Sequence, residues 1–190
     1  MNILLVYPET PSTFWSFHNA LKFVSKKSSE PPLGLLTVAA MLPKTWDKQL
    51  VDMNVSTLKD TDLEWADYVF ISAMNIQIES FKKVVKRCNE KGVKVVAGGP
   101  LCTTDYKSLE GIDHFVLNEA EITLPLFLKD LQNGSAKYVY ETSEFPEIAS
   151  TPVPLWNLLD RKKYASMSIQ YSRGCPSALP DETFAYTRIF

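Results

Sequence analysis

Histidine, cysteine and glycine are scarce in this chain: two, three and seven in 190 residues. His18 and His114 lie far apart, which leaves no histidine-rich metal motif. Cys88, Cys102 and Cys175 are too few and too widely spaced for a disulfide framework, which fits a reducing compartment. No apolar run reaches the roughly 18 residues a membrane helix needs. The start, Met1-Asn2-Ile3-Leu4-Leu5-Val6-Tyr7-Pro8, lacks the basic opening and long apolar stretch of a signal peptide. Acidic and basic tracts are missing too, and the formal net charge is −2 with both signs scattered. That pattern disfavours nucleic acid as a partner. The expectation is a cytoplasmic protein with neither nucleic acid nor membrane as a partner.

What is present is an ordinary globular composition, with 45% hydrophobic and 22% charged residues. The length suits one well-buried domain plus a tail. Five short apolar runs, at 3–7, 49–53, 68–73, 93–97 and 114–117, have the character of parallel strands buried on both faces. Helical patterns separate them, at 33–42, 60–65, 77–91 and 120–132. The helix at 77–91 carries Ile78, Phe81, Val84, Val85 and Cys88 at helical spacing. Alternation of strand and helix predicts an α/β domain over residues 1–135. Its expected form is a flavodoxin- or Rossmann-like five-stranded parallel sheet, order 2-1-3-4-5, with helices on both faces. Residues 136–165 read as an extension and proline-rich linker, with a short extra strand at 138–140. The stretch 166–171 has strand propensity, and 177–190 shows no period.

Ligands of such sheets bind beyond the carboxyl ends of the strands, near the point where strand order reverses. Candidate residues sit there. Tyr7 and Pro8 end the first strand. Ser72 offers a hydroxyl after the third, followed by Met74 and Asn75, although Ser72 or Asn75 would serve equally as a helix cap. Gly98-Gly99-Pro100 follows the fourth and reads as a loop where a flat ligand can approach the backbone, or as a plain tight turn. Branched side chains at Gly98 or Gly99 are expected to harm binding more than folding. Glu119 and Glu121 either bind a ligand or complement the start of the following helix.

Together these segments carry a resemblance. Ser72-x-Met74 followed by Gly98-Gly99 resembles the Ser-x-Leu and Gly-Gly pair of cobalamin-binding domains. Pro31-Pro32-Leu33-Gly34-Leu35 is similar to a signature of B12-dependent radical S-adenosylmethionine (SAM) proteins, the group that includes the magnesium-protoporphyrin monomethyl ester oxidative cyclase. Asn118-Glu119-Ala120-Glu121 resembles their Gly-Glu-Gly-Glu turn, and Tyr171-Ser172-Arg173-Gly174-Cys175-Pro176 resembles the entry to their Cys-x3-Cys-x2-Cys motif.

The resemblance implies a cobalamin-binding module of an enzyme of methyl transfer or oxidative cyclisation. It places Tyr7, Pro8, Ser72, Met74, Asn75, Gly98, Gly99, Pro100 and Glu119 at the cofactor and makes Cys175 an isolated remnant of the iron–sulfur motif. The Asp-x-His-x-x-Gly segment of other cobalamin-binding domains is missing after strand 1, which implies no protein histidine on cobalt. In such relatives a [4Fe–4S] cluster needs three thiolates and leaves one iron for SAM. Here the positions four and seven after Cys175 are Leu179 and Glu182. The chain is therefore expected to be catalytically incomplete, to lack its partner catalytic domain, and to end in a poorly ordered remnant over 166–190. Apolar residues of that tail, such as Phe184 and Ile189, make a homodimer through it an expectation.

Two other readings compete. A flavin-binding flavodoxin-like domain wants a glycine- and hydroxyl-rich first loop, and Thr10, Ser12 and Thr13 supply only hydroxyls. A domain that binds nothing and presents an interaction surface is the other.

Overall fold

In the computed structural model, which describes residues 1–12, 21 and 23–170, the first apolar run becomes an interior strand of a sheet. Ile3, Leu4, Leu5 and Val6 are all fully buried. Four successive apolar side chains can be buried only if helices cover both faces of their strand. Strand β1 (Asn2–Tyr7) lies between β2 (Asp47–Asp52) and β3 (Tyr68–Ser72). Beyond β3 come β4 (Lys94–Gly98), β5 (His114–Val116) and β6 (Val139–Tyr140), and every pairing is parallel. The helices are α1 (Leu33–Met41), α2 (Asp60–Trp65), α3 (Ile78–Glu90), α4 (Gly99–Asp105) and α5 (Ala120–Gln132).

Alternation along the strands divides the core in two. Ile3, Leu5, Phe70 and Val96 meet Leu35 and Ala39 of α1 and Leu124 and Phe127 of α5. Leu4, Val69, Val95 and Phe115 meet Leu63 of α2, Phe81 and Val84 of α3, and Leu101 of α4. None of the described helices is long and apolar enough to cross a membrane.

The α/β class and the order of the first five strands are as expected, with two corrections. The sheet has six strands, because Val139 and Tyr140 pair with Phe115 and Val116. Tyr140 is held there as its hydroxyl donates to Asp130 Oδ2 at 2.9 Å and accepts from Lys137 N at 2.8 Å. The segment Gly98-Gly99-Pro100 is not a free loop. Gly98 ends β4 and Gly99 opens α4, with Pro100 in the first turn, where its missing N–H costs nothing.

Beyond β6 the chain runs back over the domain. Leu155 N donates to the Leu36 carbonyl at 3.0 Å, and Ala165 N and Ser166 N donate to the Ser28 and Ser29 carbonyls at 3.0 and 2.9 Å. Residues 166–170 form no regular strand. His18, Cys175 and the expected remnant beyond 170 lie outside the described residues.

Tyr164 is the firmest of these anchors. Its buried hydroxyl donates to Asp52 Oδ2 at 2.9 Å, while Asn54 N and Nδ2 donate to Oδ1 at 2.9 and 2.8 Å. Burial raises the Asp52 pKa above the usual carboxylate range, outweighing the hydrogen bonds from Asn54 and Tyr164. A raised folded-state value means the carboxyl favours the fold while protonated. That contribution is present below the unfolded value near 4 and is lost as pH rises through the folded one. Asp52→Asn is therefore expected to remove a decline in stability above about pH 4, read as denaturation midpoints across pH. Tyr164→Phe should cost about 1–3 kcal/mol at neutral pH, because it strips a donor from a buried carboxylate.

Candidate functional site

Strands β3, β4 and β5 end level with one another. Ser72 pairs with Gly98, and Gly98 with Val116, in one cross-strand row. On the side covered by α1 and α5, these ends floor a cleft that opens to solvent. Leu33 and Val38 of α1 form one wall, Ala120 and Leu124 of α5 the other, and Phe70 and Val96 the base. The lining is mainly apolar. Its polar groups are few: Thr37, Ser72, Asn118, Glu121 and Gln170, besides backbone.

The two glycines shape the floor for different reasons. Gly99 has φ +83°, a left-handed conformation that side chains resist, and a Cβ there would stand 2.2 Å from Ser72 Oγ. A Cβ on Gly98 would stand 2.6 Å from the Val116 carbonyl oxygen. Gly98 therefore serves strand packing as well as the cleft. Branched residues at 98 and 99 are therefore expected to carry a folding cost beside their effect on binding.

Asn118, also at positive φ, turns the chain from β5 into α5. Its backbone N–H donates to Thr103 Oγ1 at 3.2 Å, and its side-chain amide donates to the Thr142 carbonyl. Glu121, in the first turn of α5, accepts from Thr151 Oγ1 at 2.7 Å.

Of the residues singled out from sequence, Ser72, Gly98 and Gly99 meet in this cleft. Tyr7, Pro8, Met74 and Asn75 gather beside it, at the carboxyl ends of β1 and β3 where strand order reverses. Buried Gln77 stitches their two loops together. Its Nε2 donates to the Pro8 carbonyl at 2.6 Å and to Thr10 Oγ1 at 3.1 Å, and its Oε1 accepts from Met74 N at 2.8 Å. Burial, then the charge of Asp52, raises the Tyr7 pKa. Met74 and Asn75 are exposed. Pro100 lies in the first turn of α4, and Glu119 is buried just before α5.

Sequence reasoning missed Val96, Val116, Leu124 and Gln170 as cleft residues, and noticed Asn118 only as part of a signature turn. The Leu33–Leu35 segment was noticed as a signature but not as a wall. The positive φ of an asparagine directly before a helix is the one signal in this group that sequence could have offered.

Histidine and cysteine contribute nothing to the cleft among the described residues. His114 opens β5 beneath Phe127, with ring centroids 5.2 Å apart, and its Nδ1 lies 2.7 Å from the Lys137 carbonyl, fixing the proton on that nitrogen. Burial pushes the Cys88 thiol up to about 11 and the Cys102 thiol up to about 12, so neither is a thiolate at neutral pH. No cluster of His, Cys, Asp and Glu that could hold a metal occurs among the described residues.

Residues 23–128, more than half of the chain, match the family model of the B12 binding domain. An uncharacterized methyltransferase of Synechocystis sp. (strain PCC 6803) is 42% identical over 93% of this chain and 33% of its own length. The hopanoid C-2 methylase of Rhodopseudomonas palustris (strain TIE-1) is 31% identical over 92% of this chain and 34% of its own. An uncharacterized methyltransferase of Pyrococcus horikoshii is 28% identical over 93% and 44%. The chain thus spans a third to under half of the length of these relatives. No solved structure matches. With a cleft at the carboxyl ends of a parallel sheet, and with that match over its core, the chain belongs to the B12-binding domain family.

Proposed function

We propose that this domain holds cobalamin with the nucleotide tail in the cleft between α1 and α5, and without a protein imidazole on cobalt. The observation that carries this reading is the cleft itself, mainly apolar, open to solvent and floored where Ser72, Gly98 and Val116 align. These residues fit the group. Leu33, Val38, Phe70 and Leu124 give an aromatic base an apolar environment, and Ser72 places a hydroxyl at the strand end. The bare backbone of Gly98 and Gly99 permits close approach of a flat ring. Tyr7, Pro8, Met74 and Asn75 then border the macrocycle from the neighbouring loops, and Glu119 and Pro100 hold the turns that frame the slot.

Bound cobalamin supplies a cobalt centre that carries a methyl group between donor and acceptor. The residues of this chain bind it, exclude water from its tail and set its orientation. Similarity to a methyltransferase and a methylase favours methyl transfer over oxidative cyclisation for the protein this module serves. A [4Fe–4S] cluster and SAM belong to that larger assembly. Cys175 alone, with Leu179 and Glu182 where cysteines are needed, supports no cluster and no SAM cleavage in this chain.

Titration of the chain with hydroxocobalamin, followed by visible absorbance, tests the reading. Saturable one-to-one binding with a shifted spectrum is expected, and none with FMN. No binding at ~50 μM cobalamin, a concentration that reveals even modest affinity, contradicts it. So does a preference for FMN. His114→Ala is expected to leave cobalamin affinity unchanged and to cost about 1–2 kcal/mol of stability through its lost hydrogen bond and ring contact. Paired binding and denaturant curves check both halves.

A further inference from the structure

The matched family region stops at residue 128, yet one described residue that lines the cleft, Gln170, comes from beyond it. Gln170 lines the cleft alongside Leu33, Thr37 and Glu121. A second groove, lined by Ile148, Pro152, Pro154 and Trp156, shares Leu33, Thr37 and Gln170 with the first. The two cavities are neighbours, and Gln170 is one of three residues that border both. The segment that carries it is fastened to three parts of the domain. Thr151 Oγ1 donates to Glu121 Oε1 on α5 at 2.7 Å, Leu155 N to the Leu36 carbonyl on α1 at 3.0 Å, and Tyr164 Oη to Asp52 on β2 at 2.9 Å. A polypeptide with almost no regular backbone pairing of its own is thus fastened to the domain at α5, α1 and β2. One anchor, Glu121, is itself a cleft residue.

We propose that residues 148–170 are the outer wall of the cofactor cleft, and that Gln170 hydrogen-bonds the nucleotide end of cobalamin. This rests on the cobalamin reading above. A glutamine amide presents a donor and an acceptor in one plane, which matches the hydroxyls, phosphate oxygens and ring nitrogen of a nucleotide. The binding module then extends to residue 170, and the proline-rich stretch is part of the site rather than a tether. Pro152 and Pro154 limit the freedom of the unbound strap and so lessen the entropy lost when the cofactor seats against it.

The test compares cobalamin with cobinamide, which lacks the nucleotide, on the full chain and on Gln170→Ala and Thr151→Val. Both substitutions are at positions that are only partly buried. Each is expected to weaken cobalamin binding about fivefold, the worth of one hydrogen bond, and to leave cobinamide binding as it was. A purely structural role would weaken both ligands alike. Either variant binding cobalamin like the parent, or losing both ligands in equal proportion, overturns the proposal while leaving the cobalamin reading intact. A parent chain that binds neither ligand overturns both.

Discussion

Gly99→Val is expected to abolish cobalamin binding and to lower stability by about 1–3 kcal/mol, the usual cost of a bulky residue held in an unfavourable backbone region. Two observations combine here. The φ of +83° disfavours any Cβ, and a Cβ would meet Ser72 Oγ at 2.2 Å and Ser72 Cβ at 3.3 Å. The hydroxyl can rotate away, but the Cβ cannot. Relief must come from moving the start of α4, and that helix is tied to the loop after β3, where Leu101 N donates to the Ala73 carbonyl at 3.0 Å. The displacement therefore reaches both sides of the cleft floor. Cobalamin titration and thermal denaturation of the same preparation check the two halves. Normal binding by a folded variant places the site elsewhere.

Val96→Phe is expected to end cobalamin binding through the tail alone. Val96 is buried at the base of the cleft, below the row of Ser72, Gly98 and Val116. Val96 also packs in the core with Phe70 and Leu124, so enlargement is expected to cost about 1–3 kcal/mol of stability. The ring also takes the volume assigned to the nucleotide. Affinity should fall by about a hundredfold or more, equivalent to at least ~2.7 kcal/mol. Cobinamide, which lacks the tail, should bind the variant and the parent alike. Parallel titrations decide it, and equal loss of both ligands would contradict the tail assignment.

The contrast between these two substitutions reflects what could be read in the sequence. Strand β1 was legible because Ile3 to Val6 are apolar on consecutive residues, a pattern that requires cover on both faces. α3 and α5 were legible because helical spacing persists over 13 residues in each. α4 was not, since seven residues opening on Gly-Pro give no period and resemble a turn. β6 is only two residues long and owes its place to pairing with β5 and to Tyr140 reaching Asp130.

The site divides in the same way. Ser72, Gly98 and Gly99 were found because hydroxyl and glycine at strand ends are unusual residue types in unusual places. Val96, Val116 and Leu124 were not, because an apolar side chain facing a cleft looks the same in sequence as one facing a core. Gln170 was missed for a further reason. It reaches the cleft only because Thr151, Leu155 and Tyr164 fold the chain back across the domain, and those contacts span 30 to 119 positions. Proline content marked that stretch as irregular without showing that it docks.

Electron paramagnetic resonance of cobalamin in its Co(II) form, bound to the chain, tests the central claim most directly. Free in solution the cofactor's own base sits on cobalt and splits the signal through its nitrogen. With the tail in the cleft and no imidazole replacing it, the bound form should show no nitrogen splitting. Splitting that persists, whether from the tail still on cobalt or from His18 or His114, would contradict the account.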